Sequence, residues 1–260
     1  EGANNTAVGK DSLKTNTTGL CNVAVGSRSL DANTTGCYNT AVGEAALGSN
    51  TTANGNTAIG LCAMKNNTTG AANPSVGQFT LDANTEGENN VAMGSSALGA
   101  NTTGDGNTGL GNASLAANTT ADNNTAVGLF SLNKNTTGSN NTAVGYLALD
   151  DNTTAAGNVG IGTNALSTNT VGACNVAVGF DALKVATCGK NTAVGGRNME
   201  ATTTGECNAS FGYATLISNT TGDNNSAFGY APMNANTTGS DNSAFGYCAL
   251  AGYTEGANNT

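Results

Sequence analysis

Residues 39–55 read N-T-A-V-G-E-A-A-L-G-S-N-T-T-A-N-G, and residues 56–72 read N-T-A-I-G-L-C-A-M-K-N-N-T-T-G-A-A. Both keep Asn-Thr-Ala, a branched apolar residue and Gly at the start, with Asn-Thr-Thr eleven residues on. They are one unit written twice. Its glycine recurs at Gly9, Gly26, Gly43 and onward to Gly246, fifteen times, every step being 17 residues except the 16 from Gly179 to Gly195.

Two columns of the repeat are apolar throughout. One runs Val8, Val25, Val42, Ile59 to Phe211, Phe228 and Phe245; the other, five residues on, runs Leu13, Leu30, Leu47, Met64 to Met233 and Leu250. Two large apolar residues cannot make a core for an isolated unit, but stacked turn on turn they form continuous ribs, which is the logic of a solenoid. Thr or Val two residues before the first rib gives the period-2 spacing of a short strand. The first rib is therefore expected to point inward. A glycine, several asparagines and a threonine pair per unit exclude helix. The expected fold is all-β: a parallel β-solenoid (β-roll or prism) of fifteen 17-residue turns, one continuous repeat domain over residues 1–260. At about 4.8 Å per turn it would be a rod about 70 Å long.

Two polar columns are as regular. Asn22, Asn39, Asn56 and their successors predict an asparagine ladder. Thr17, Thr34, Thr51 and their successors are Thr in all fifteen units and are read as inward or ladder-forming, while the varied neighbour (Thr18, Glu86, Val171, Cys188) is read as outward.

Charged residues are 10% of the 260 and the net charge is −9, which gives nucleic-acid binding no electrostatic support. No apolar run approaches the ~20 residues of a membrane span. Residues 1–6 and 255–260 both read E-G-A-N-N-T, which suggests a window on a longer or processed chain, or a subunit that polymerises end to end.

The unit N-T-A-V-G-x-x-A-L-x-x-N-T-T-G resembles the head repeats of trimeric autotransporter adhesins, whose S-V-A-I-G strand is matched by Asn22-Val-Ala-Val-Gly26 and Asn175-Val-Ala-Val-Gly179. It is also similar to tail-fibre repeats of phages and viruses that carry an S74-type chaperone domain. The resemblance implies a left-handed β-roll wound as a homotrimer and used for surface attachment. The adhesin turn is shorter, and no stalk, anchor or chaperone segment lies within residues 1–260.

Motifs for chemistry are sparse. There is no histidine, so no Ser/His/Asp or Cys/His arrangement can be built; the chain is expected to be no enzyme and to need no cofactor. Asn-Thr-Thr sequons begin at Asn16, Asn33, Asn50, Asn67, Asn101, Asn118, Asn135, Asn152, Asn219 and Asn236 and are read first as one solenoid column. Glu88, Asp105 and Asp122 share a column in three successive turns, a weak cation candidate beside the plainer reading of a solvated acidic edge. Cys21 with Cys37, and Cys174, Cys188 and Cys207 around the short turn, are disulfide candidates, which favours an extracellular setting on a cell or virion surface. Tyr213, Tyr230 and Tyr247 align above the trio of phenylalanines as a candidate glycan strip or subunit contact. Phe79, Phe130 and Leu147 share a column with Cys62 and Cys248 that is interrupted by Asp11, Arg28, Asp181 and Arg197; Phe130 and Leu147 are taken as the expected subunit seam. The leading function is a structural fibre or adhesive shaft whose partner is itself. An ice-binding solenoid is the alternative, weakened because the paired threonines are adjacent and so face opposite ways.

Overall fold

The computed structural model describes residues 2–260. They fall into two compact units, Glu1–Phe130 and Ser131–Thr260. The first holds strands β1 (Thr6–Val8) to β8 (Thr125–Val127) and the second β9 (Thr142–Val144) to β15 (Ser243–Phe245), all three residues long. Within each unit successive strands pair in parallel and every residue lies beside its equivalent one repeat on, as Thr6 beside Val23 or Val159 beside Val176. The 16-residue step keeps this register: Val176 pairs with Thr192. Pro74 has no N–H to give the ladder, and the pairing between its strand and the next begins only at Ser75. The chain is thus an all-β parallel β-solenoid with a 17-residue turn.

The facing of the strands corrects the sequence reading. The inward residue is the middle one: Ala24, Ala41, Ala58, Ala143 and Ala177 are completely buried. The first rib faces outward, with Met93 54% and Ile59 39% exposed in turns whose middle alanines are buried. The second rib is buried as expected, Leu30, Leu47, Met64 and their equivalents filling the interior with the residue before them, most often Ala or Ser. A Cβ built on Gly160, mid-strand in β10 (Val159–Ile161), would stand 3.2 Å from Leu149 Cγ, so the interior is only one leucine deep there. Alanine fits that depth; a second rib of valine would overpack it.

Backbone conformation explains which side chains each column takes. The Leu/Met column sits at positive φ (Leu30 +49°, Met64 +52°, Leu149 +53°), as do the columns of Arg28 and Tyr38. No β-branched residue occupies any of these left-handed corners, where Cβ branching is most heavily penalised. Val and Ile are instead concentrated in the strands, which suit them. Gly43 lies at φ +137°, and an added Cβ would meet the Gly60 carbonyl oxygen at 2.3 Å, which is why this corner admits only glycine.

Two asparagine columns run through the interior. Asn39 donates its Nδ2 to the Ala53 carbonyl across the turn (2.8 Å), and its backbone N–H donates to Asn22 Oδ1 (2.9 Å). The second ladder is made of the sequon asparagines. Asn33 donates to Asn16 Oδ1 (2.7 Å) and Gly36 O (3.0 Å), and accepts from Asn50 Nδ2 (2.9 Å). These amides are buried at no cost in unmet hydrogen bonds. The constant threonines are ladder-forming, as expected: Thr34 donates both its N–H and its hydroxyl to Thr51 O, while Thr35 is exposed.

Candidate functional site

The outward strand face is the feature that sequence reasoning missed. In β1–β8 it carries Thr6, Val23, Thr40, Thr57, Pro74, Val91, Thr108 and Thr125 beside Val8, Val25, Val42, Ile59, Val76, Met93, Leu110 and Val127. In β9–β15 the two rows run from Thr142 and Val144 to Ser243 and Phe245. No charged residue occurs in any of the fifteen strands. Parallel sheets are usually covered on both faces because their strands are apolar on both. Here one face covers the thin interior and the other, in the single chain, meets water. The signal for this was present in the middle column, which is Ala, Ser or Gly in every strand.

The last three strands change the character of that face. Phe211 stacks on Phe228 with ring centroids 5.0 Å apart, and Phe228 on Phe245 at 5.1 Å. One glycine further along each turn, Tyr213, Tyr230 and Tyr247 stack at 5.7 and 5.3 Å. The phenylalanines are therefore not core, contrary to the sequence reading. Phe245 is 69% exposed and Tyr247 79%. Because the rings lie face to face, Phe228 and Tyr230 present edges outward, whereas sugar stacking uses ring faces. Where the outer position becomes Phe, its partner two residues earlier shrinks to Ala209, Ser226 or Ser243, which holds the summed side-chain volume nearly constant.

The acidic column has a structural employment. Asp105 Oδ1 accepts the backbone N–H of Glu88 (2.7 Å), and Asp122 Oδ1 accepts that of Asp105 (2.8 Å). Glu206 N–H and Asp223 Oδ1 repeat the contact at 2.7 Å, and Asn54 does the same for Cys37. Each side chain thus supplies the acceptor that the preceding turn's N–H needs. Among the described residues no group of three or more His, Cys, Asp or Glu is placed to hold a metal ion.

All seven cysteines stand as free thiols. Cys37 Sγ accepts the Leu20 N–H (3.2 Å) and donates to Thr35 O, so it is engaged away from Cys21. Cys174 and Cys207 share a column two turns apart with Lys190 between them. Cys188 is buried at the position glycine holds in neighbouring turns: its carbonyl accepts Asn175 Nδ2 (2.7 Å), as the Gly172 carbonyl accepts Asn158 Nδ2 (2.9 Å). It is not the outward neighbour of the constant threonine; that outward position is the residue missing from the short turn. The sequon asparagines Asn33, Asn50, Asn67, Asn101, Asn152 and Asn219 are fully buried, so the folded chain offers them to no glycosylating enzyme. On the expected seam, Phe130 is 37% exposed and Leu147 half-buried, each in its own unit.

No family model, curated protein or solved structure matches the chain. The likeness to adhesin heads and tail fibres rests on the residues of the repeat alone.

Proposed function

We propose that this solenoid is a structural element of an extracellular fibre or adhesive shaft, built by packing the outward strand faces of several copies of the chain against one another. The observation that carries this reading is the uncharged, apolar outer face of the strands. A contiguous apolar surface patch is a recognised mark of an association site. Its large-for-small exchanges at Phe211, Phe228 and Phe245 are what a packed surface selects. The seam is accordingly moved from the corner column of Phe130 and Leu147 to the strands. The proposal assigns the chain no catalytic role and no cofactor, in keeping with the absence of histidine. The trimer implied by the repeat's resemblance is the assembly we adopt. Light scattering on purified protein is expected to give a mass of about three chains. A stable 25.4 kDa monomer at high concentration would remove the basis for the proposal.

One observation favours ice binding as a second reading. Thr40 and Val42, and likewise Thr57 and Ile59, stand two residues apart on the same outward face, the spacing that the adjacent threonines lacked. Val23, Pro74, Val91 and the phenylalanines interrupt those ranks, which keeps the reading second. A thermal-hysteresis assay separates the two: hysteresis at micromolar protein would promote it, and none is expected.

A further inference from the structure

Three departures from the repeat coincide around the short turn. The sequon-column ladder, continuous from Asn135 through Asn152 to Asn169, loses its asparagine at Ala186 and again at Thr202, and resumes at Asn219 and Asn236. Asn169 Oδ1, with no amide from the next turn, accepts the Gly172 N–H instead (3.1 Å). Asn219 Nδ2 keeps only its bond to Gly222 O (3.0 Å). Thr202 Oγ1 is buried and has no hydrogen-bond partner, the one such side-chain atom among the described residues. The second departure is the missing outward residue. The third is Cys188 in the place of a glycine, its Sγ against Gly205 O (2.6 Å) and Asn191 Nδ2 (3.2 Å). The other asparagine column is unbroken here: Asn191 N–H reaches Asn175 Oδ1 and Asn208 N–H reaches Asn191 Oδ1, both at 3.0 Å.

We infer that turns 179–205 are a built-in opening point, where one interior ladder is cut while the other holds the strands in register, so that the solenoid separates locally here before it unfolds globally. In a stack of nearest-neighbour turns, stability is a sum of turn and interface contributions, and the interface with the fewest bonds opens first. Two missing ladder members and one unsatisfied hydroxyl are concentrated in adjacent interfaces, whereas elsewhere in residues 131–260 the column departs from asparagine only at Tyr253, in the last turn. Opening would release Cys188, the one buried cysteine, whose thiol burial holds above its ordinary pKa and so unreactive while the turns are closed.

Cys188 is therefore a reporter already in place. Alkylation of the full native chain, followed by peptide mass spectrometry, should label Cys174 and Cys207 at once and Cys188 more slowly. The Cys188 rate should nevertheless exceed the global unfolding rate by at least about tenfold. The variant Ala186→Asn with Thr202→Asn restores the ladder and should slow Cys188 labelling by about fivefold or more, the worth of about one recovered hydrogen bond. Amide exchange on the unaltered chain gives an independent reading, with residues 186–205 expected to exchange faster than residues 142–160. Cys188 labelling no faster than global unfolding would overturn the inference. So would uniform amide exchange, or a restored ladder that leaves the Cys188 rate unchanged.

Discussion

A buried asparagine is ordinarily a liability, and here it is repeated in every turn because stacking gives each amide its partners. Asn50 donates to Asn33 Oδ1 and Ala53 O and accepts from Asn67 Nδ2. Asn50→Ala deletes these bonds and leaves Asn67 without its acceptor, so a loss of about 2–3 kcal/mol is expected in urea unfolding. Thr52→Ala, on the exposed neighbour column, should change stability by less than ~0.5 kcal/mol. Equal effects would mean that the ladder contributes nothing beyond the backbone. Charge at the surface gives a second test. Burial holds the Asp150 carboxyl above its ordinary value near 3.8, Lys134 offsets part of that, and Asp151 adds to it. The folded chain therefore binds this proton more tightly than the unfolded chain. Its contribution is full below the ordinary carboxylate value and is lost as pH rises through the folded one. Asp150→Asn should be more stable than the parent at pH 7, where Lys134 keeps its hydrogen bond to Asp151, and the gain should disappear near pH 3. A variant that is less stable at pH 7 would show the Lys134–Asp150 attraction, 3.7 Å long, to dominate.

At the scale of the element, the unit is a turn, not a strand, since three residues of strand have no stability of their own. Deleting residues 56–72 removes one whole turn and joins Gly55 to Asn73 in register; the shortened chain should fold with a cooperative melt. Deleting residues 56–63 shifts every column beyond the cut and should abolish cooperative unfolding. Equal damage from both would argue against the solenoid. The turn was legible in the sequence because its period, its strands and its Leu/Met rib are all set by local columns. The facing of the strand was not. A period of two defines two faces without saying which is inner, and bulk apolar character pointed to valine, whereas interior depth selects alanine. The acceptor role of Asp105 and Asp122 was hidden for a different reason: it depends on which backbone N–H of the turn before lies within reach. Cys188 was misplaced because a deletion within a repeat can be aligned at several positions, and only the hydrogen bonds of Asn175 fix it.

At the scale of the whole molecule, both units carry the same design, an interior of leucine, alanine and asparagine beneath a strand face that is apolar and uncharged. Function follows from which side of the strand is which. If the outer row is a surface, charge placed there should disturb association and leave the fold intact; if it is core, the same charge should unfold the chain. Val144 and Leu149 provide the comparison within one turn, the first partly exposed and the second completely buried. The decisive measurement is light scattering with circular-dichroism melting on Val144→Lys and Leu149→Lys. Val144→Lys is expected to keep the β spectrum and a cooperative melt while its mass falls toward one chain, and Leu149→Lys to lose the fold, since an unpaired buried charge costs several kcal/mol. Loss of the fold in Val144→Lys as complete as in Leu149→Lys would contradict the account.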